Sequence, residues 1–306
     1  MKYIYLLLIV FFMCPLDVKA TNEEILPFSC GTGCTWEKKG TKLIITATEG
    51  AVMDDFEEKW NAERRVYETT APWGADFTEI EIVGGLTNIS KSAFEGAQFT
   101  SVNIPDTVTS IGEDAFSWNF NLSSVSLPNS VASISKWAFA KDKALTNIVF
   151  PSSVISVGDV VFTGATGLTS VVVENSNTAL SENVFGGILG NVYCQNFEQC
   201  KNKGITDQNI IVFSKTEDGV YQIGDKYFAS VDLMLLGNDW ACDSLEQCKK
   251  ALSAMQSGKT FRIGNKLYAS LHDALAGNYI QKRIYTIEEA SKLSKPTGNT
   301  FRLRYK

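Results

Sequence analysis

The residues of this chain best placed for chemistry of their own are six cysteines in three close pairs, Cys30/Cys34, Cys194/Cys200 and Cys242/Cys248. A redox or zinc role would need Cys-x-x-Cys spacing or a supply of histidine, and the chain has neither. An even count in an exported chain points to structural disulfides; proximity favours the three local pairings, although six cysteines admit many others. The single histidine, His272, is matched by Asp232 in a duplicated segment, and a position that changes type between copies reads as solvated surface. Asp54, Asp55, Glu57 and Glu58 form a carboxylate run without the alternating ligand spacing and turn glycine of a calcium loop, so a charged cap loop is expected and no metal. No glycine-rich phosphate loop, nucleophile elbow or His-Glu-x-x-His is present. The inventory describes a protein that is not an enzyme and takes no cofactor; two acidic residues converging in a cleft with strongly shifted titration would reopen that reading.

At the start of the chain, Lys2, the apolar run from Tyr3 to Met13 and the small-residue end Val18-Lys19-Ala20 read as a secretory signal peptide over residues 1–20. Its apolar core falls short of the roughly 20 residues a membrane helix needs, and no later segment is continuously apolar over that length, so no transmembrane segment is expected. Cys14 follows Phe11-Phe12-Met13 and lacks the small residue that precedes a lipidated cysteine. The chain is 44% hydrophobic with a net charge of -6, which suits a folded domain and not a nucleic-acid binder. The C-terminal end breaks the acidic trend: Lys282, Arg283, Lys292, Lys295, Arg302, Arg304 and Lys306 face only Glu288 and Glu289.

A repeat organises the middle. Phenylalanine of an apolar-Phe dipeptide recurs at Phe94, Phe116, Phe139, Phe162 and Phe185, in steps of 22, 23, 23 and 23. Four further columns run in phase: Ile104-Pro105, Leu127-Pro128, Phe150-Pro151 and Val173-Glu174; Phe99, Leu122, Leu145 and Leu168; Val102, Val125, Ile148 and Val171; Ile89, Ile111, Ile134, Val157 and Leu180. The alternation around Val125-Ser126-Leu127 predicts a strand that the following proline ends. A lone coil leaves its apolar groups open on both flanks and cannot offset the ordering of its backbone, so coils must stack and the ends must be capped.

This unit, L-x-x-V-x-[IL]-P-x-x-V-x-x-I-x-x-x-A-F, resembles the BspA-like leucine-rich-repeat family of exported surface proteins. Upstream, Cys34-Thr35-Trp36, the strand Lys42-Leu43-Ile44-Ile45-Thr46 and Ala71-Pro72-Trp73 resemble that family's N-terminal cap, so the likeness runs over about residues 30–195. The segment at 50–70 is longer and more charged than the family pattern, and the fifth coil has Glu174 where the others have proline. The resemblance implies a curved leucine-rich-repeat solenoid with parallel β-strands on its concave face, mostly β with short helices and turns, and in some members adhesion to host or neighbouring-cell proteins.

Beyond the repeat, Tyr221-Gln-Ile-Gly-Asp-Lys-Tyr-Phe-Ala-Ser is answered 40 residues later by Phe261-Arg-Ile-Gly-Asn-Lys-Leu-Tyr-Ala-Ser. Each copy predicts a hairpin turning at Gly224-Asp225 or Gly264-Asn265, then a short helix capped by Ser230 or Ser270. A helix is expected between them over 243–255, with Cys242 able to pin its start, and the end reads β-α-β, its helix opened by the capping box Thr286-x-x-Glu289. In the last strand Arg302, Arg304 and Lys306 share one face, which suits either a solvated surface or contact with an anionic envelope polymer or a secretion apparatus.

The expected organisation is a signal peptide at 1–20, an N-terminal cap at 21–76, the solenoid with its C-terminal cap at 77–213 and a small duplicated α+β module with a basic tail at 214–306. Two surfaces are candidates for binding. The outward strand positions form columns of Glu79, Ser101, Ser124, Asn147, Ser170 and of Glu81, Asn103, Ser126, Val149, Val172, suited to hydrogen-bonding a peptide or glycan or to being solvated scaffold. The aromatic set Trp118, Phe120 and Trp137 either packs between adjacent coils or stands out as an interface anchor, packing being the favoured reading. The function that follows is an exported, secreted or surface-held protein, with the periplasm as another address, that binds a protein or glycan on a host or neighbouring cell. The alternative is a structural envelope component anchored through its basic C-terminal module.

Overall fold

The computed structural model describes residues 28–263, 266–271 and 274. The expected signal peptide, the Gly264-Asn265 turn, His272, the Thr286–Glu289 capping box and the basic tail Arg302, Arg304 and Lys306 lie outside the described residues.

The chain opens with β1 (Phe28–Lys39), antiparallel to β2 (Lys42–Met53), and Cys30–Cys34 bridges the irregular start of β1 with Cα atoms 5.1 Å apart. A hairpin of β3 (Glu58–Asn61) and β4 (Val66–Thr69) follows, filling the segment that departs from the family pattern. Strand β5 (Glu79–Leu86) pairs in parallel with β2, so β2 acts as the first rung of the repeat ladder. Trp73 closes this end: its indole N–H donates to the Ala93 carbonyl at 2.9 Å, and its ring lies 6.0 Å from Phe94.

Each coil then contributes two strands. In chain order these are β6 (Asn88–Ile89), β7 (Ser101–Asn103), β8 (Ser110–Ile111), β9 (Ser124–Ser126), β10 (Ser133–Ile134), β11 (Asn147–Phe150), β12 (Ser156–Val157), β13 (Ser170–Val173), β14 (Ala179–Leu180) and β15 (Asn191–Cys194). The two-residue strands form one parallel sheet in the order β14-β12-β10-β8-β6, while β7 pairs with β9 and β11-β13-β15 continue in parallel on the longer strand face. Inward, Phe94, Phe116, Phe139 and Phe162 superpose along one axis, fully buried, with successive centroids 5.6, 5.5 and 6.2 Å apart. The coils therefore share a single core, as the repeat requires.

The turn carrying each phenylalanine is held by a third backbone ladder, in which Phe94, Phe116 and Phe139 N–H groups donate to Ala115, Ala138 and Val161 of the next coil at 2.9, 3.0 and 3.1 Å. Two residues before the phenylalanine the backbone is left-handed at Ser92, Asp114, Trp137 and Val160, and two residues after it at Gly96, Trp118, Lys141, Gly164 and Gly187. A close approach between coils explains one glycine of the short-strand side: a Cβ on Gly158 would lie 2.4 Å from the Lys136 backbone nitrogen.

The last coil carries α1 (Phe197–Cys200), tied by Cys194–Cys200 with Cα atoms 6.6 Å apart, and ends in β16 (Ile210–Val212), parallel to β15. Strands β17 (Ser214–Lys215), β18 (Tyr221–Ile223) and β19 (Lys226–Phe228) follow as an antiparallel sheet, the β18–β19 turn falling at Gly224 with φ 57°. Helix α2 (Val231–Leu235) is capped by the Ser230 hydroxyl, which accepts from the Leu233 N–H, and α3 (Leu245–Gln256) by Ser244. Cys242–Cys248 pins the start of α3, with Cα atoms 5.5 Å apart. The second copy supplies β20 (Phe261–Ile263) and β21 (Lys266–Tyr268), whose Phe261, Ile263 and Tyr268 pack into one cluster with Val220, Ala229 and Leu233 of the first.

Candidate functional site

The strand face divides into two halves. At its N-terminal end Glu79, Glu81, Ser101, Asn103, Ser124, Ser126 and Asn147 are exposed, so this half keeps the hydrogen-bonding surface that alternation in the strands implies. The remainder corrects the expectation of two outward columns. Val149, Val172, Tyr193 and Ile211 stand in register on successive strands, and Val172 is wholly buried. They pack with Phe213, Tyr221, Phe228 and Met234 in one apolar cluster, so the C-terminal strands and α2 cover this end of the face. Glu174, the residue that replaces proline, fastens the cover. Its carboxylate is 8% exposed, accepts from the Lys215 ammonium at 3.0 Å to each oxygen, and accepts from the Tyr221 hydroxyl. Burial first, and the Glu174 carboxylate second, push the Tyr221 phenol above its ordinary range.

The aromatic set is arranged differently from the favoured packing between coils. Trp118 does not pair with Trp137; it meets Trp60 and Tyr67 of the β3–β4 hairpin at 6.2 and 5.8 Å and Phe120 at 5.9 Å. Trp60 and Tyr67 pair across the hairpin at 5.2 Å and remain 52% and 37% exposed. Both tryptophans have left-handed backbone, Trp118 two residues after its Ala-Phe phenylalanine and Trp137 two residues before its own. Trp137, 38% exposed, meets no other ring among the described residues and lies under the Lys136 ammonium, 4.3 Å from the ring centroid. Lys141 stands 5.8 Å from the Trp118 ring and Lys143 4.8 Å from the Phe120 ring. Trp60, Tyr67, Lys141 and Lys143 were legible as surface candidates only through the alternation of a short hairpin and the Lys-Asp-Lys run after the third Ala-Phe; neither feature is part of the repeat.

Beneath the hairpin two acids converge. Burial, then the Asp114 and Glu58 carboxylates, raise Glu95 to about 8, and burial raises Asp114 to about 6. One Glu95 oxygen accepts from the Ser117 hydroxyl at 3.1 Å and the other meets no partner among the described residues. Glu95 is fully buried and Asp114 is 7% exposed, so the pair lies in the packed flank and not in a cleft that a substrate enters. The carboxylate run behaves as part of the cap: Asp55 accepts from the Lys91 backbone N–H at 3.0 Å, and Glu57 stands 3.7 Å from the Lys91 ammonium. Among the described residues no group of three or more acidic, cysteine or histidine side chains is placed to hold a metal ion, and no helix is long and apolar enough to cross a membrane. On the short-strand side an open groove of about 580 Å³ is lined by Ser133, Ser135, Ser156, Ser181, Lys136 and Glu113 among others.

Residues 73–190 match the BspA type leucine-rich-repeat region in six copies, and that stretch is a leucine-rich repeat of this type. The chain is similar to the crystal structure of a leucine-rich repeat protein from Eubacterium ventriosum, at 19% identity over 64% of this chain and 47% of that one, with a TM-score of 0.43. It therefore spans about half the length of that protein. Similarity extends to the leucine-rich repeat protein of T. pallidum, at 19% identity over 56% of this chain and 77% of the other, TM-score 0.27. A third is a leucine-rich repeat protein from Bacteroides ovatus, at 15% identity over 56% and 79%, TM-score 0.19. No curated protein matches the chain. Proteins with BspA-type repeats generally serve binding and adhesion, and leucine-rich repeats are typically scaffolds for binding.

Proposed function

We propose that the protein is an exported binding module that engages a protein or glycan partner on a host or neighbouring cell and works in adhesion at the cell surface. In this reading 1–20 directs export, 21–76 caps the repeat and lends Trp60 and Tyr67 to the binding surface, 77–213 carries the rest of that surface, and 214–306 is a separate module whose first strands and α2 cover the far end. The observation that carries it is the half-exposed cluster of Trp60, Tyr67, Trp118 and Phe120, because solvent-facing rings held by a rigid scaffold are the usual energetic anchors of interfaces. The exposed hydroxyls and amides of Ser101, Asn103, Ser124, Ser126 and Asn147 supply a second, polar contact surface, and three disulfides fit an extracytoplasmic address.

The test is retention of partners from matrix and cell-envelope fractions by the exported chain, compared with Trp60→Ala and Trp118→Asn, the asparagine being chosen because it tolerates left-handed backbone. Saturable retention that either change weakens about tenfold supports the reading. Absence of any saturable partner, or retention indifferent to both changes, overturns it.

A further inference from the structure

The ring cluster has a charged border whose chemistry narrows the partner. Lys141 and Lys143 leave coil three beside the rings, and neither has a carboxylate within ion-pair distance among the described residues. By contrast Lys42, Lys91, Lys136 and Lys215 each hold one, at 2.8, 3.7, 3.3 and 3.0 Å. The acid between the two free lysines is turned away from them: Asp142 is fully buried, accepts from the Asn119 N–H at 2.9 Å, and is held well above the usual carboxylate range by burial. A run of Lys-Asp-Lys thus shows two positive charges and conceals its negative one. The stem of Lys141 is seated on Gly164 of the next coil, where a Cβ would come within 2.6 Å of Cδ, so the glycine makes room for the lysine.

The other border charges do not cancel this. Glu68 is engaged by Arg64 and by the Asn61 amide, Glu58 repels the acids beneath the hairpin, and the hairpin tip carries one charge of each sign, Glu63 and Arg65, neither ion-paired among the described residues. The body as a whole carries a net charge of -6, which disfavours a long polyanion laid across it and leaves this patch as a place where a short acidic stretch is attracted.

We infer that this surface docks an acidic polypeptide segment: carboxylate side chains meet Lys141 and Lys143, while an apolar or aromatic side chain of the same segment seats on Trp60, Tyr67, Trp118 and Phe120. The inference rests on the binding reading above and specifies its partner. Two cations beside four rings suit such a segment better than a sulfated glycan, which offers charge without an apolar anchor and needs a longer basic track.

The probe is a dye-labelled random copolymer of glutamate and tyrosine, titrated with the exported chain and read by fluorescence anisotropy. Saturable binding is expected, weakened by salt, and about tenfold weaker for the double change Lys141→Glu/Lys143→Glu and for Trp60→Ala. The charge-matched control Lys226→Glu/Lys259→Glu, on two exposed lysines far along the chain, should bind within about twofold of the parent, as distant surface changes do. Polyglutamate without tyrosine should bind more weakly than the copolymer. Absence of saturable binding overturns the inference, as does equal loss in both double variants; heparin outcompeting the copolymer would reassign the surface to anionic glycans. If the copolymer fails while Trp60→Ala still weakens capture of a partner from cell fractions, the acidic-segment inference falls and the binding reading stands. If Trp60→Ala leaves that capture unchanged as well, both fall.

Discussion

Asn103 and Ser126 stand in water on the strand face, whereas Val149 and Val172, at the same position in later coils, lie under the C-terminal strands. The backbone beneath them is alike: parallel pairs, the same register, and the same offset from coil to coil. What differs is the side chain in the outward column, polar where the rung faces solvent and apolar where it receives a cover. Glu174 adds direction, since its carboxylate holds Lys215 and Tyr221 and so fixes where the cover sits.

The comparison can be broken most severely at Val172. Val172→Asp places an unpaired charge in the covered interface and should cost about 4 kcal/mol or more. Ser126→Asp, at the same position in an open coil, should cost less than about 0.5 kcal/mol. Urea unfolding of the two variants, with protease cleavage rates across 214–263, measures the contrast; equal effects would mean that the cover is not seated on Val172. Next in size is Glu174→Ala, which strips Lys215 and Tyr221 of their shared acceptor and should cost about 2 kcal/mol, Lys215 being partly exposed and able to recover water. A double-mutant cycle with Tyr221→Phe would show coupling, and additive losses would show that the two do not act as a unit.

A third prediction separates the halves by pH. Glu95 and Asp114 have folded-state values raised to about 8 and about 6, so the folded chain binds protons there that the unfolded chain has already released. Their stabilising share is complete below about pH 4, near the ordinary carboxylate range, and is lost as pH rises through about 6 and then about 8. Glu95→Gln should flatten the fall in melting temperature between pH 5 and pH 8, and hydrogen exchange should localise the change to the hairpin and first coils. A variant that keeps the parent's pH dependence would remove Glu95 as its source. A smaller, stabilising effect belongs to Val160, a β-branched residue in left-handed backbone with φ 48°. Val160→Asn should stabilise by about 1 kcal/mol in thermal unfolding, because that turn is common to open and covered coils alike.

Much of this architecture was legible in the sequence, and for a physical reason. The stacked phenylalanines, the proline-ended strands and the Ile/Val column each serve the same contact in every coil, so they recur at a fixed period. The cover escaped that reading because it replaces a period with exceptions: Val149 and Val172 interrupt a column of serine and asparagine, and Glu174 interrupts a column of prolines. Read as departures they signal docking; read as members of a repeat they signal only drift. The ring cluster was half visible. Trp118 and Phe120 stood out beside the Ala-Phe motif, but their partners Trp60 and Tyr67 arrive from a hairpin more than 50 residues upstream, and no period links the two.

The ladder at the phenylalanine turns also sets a rule for how such a chain can change length. At these turns Phe94, Phe116 and Phe139 each donate to a carbonyl of the following coil, while Thr109, Ser123 and Ala132 donate back to the preceding one, so a whole coil can be added or lost with the remaining donors still meeting a carbonyl, whereas a fractional coil strands a row of them. The separation between the aromatic hairpin and the C-terminal cover is therefore adjustable only in steps of one inter-strand spacing, about 4.8 Å, like a rack that accepts whole teeth.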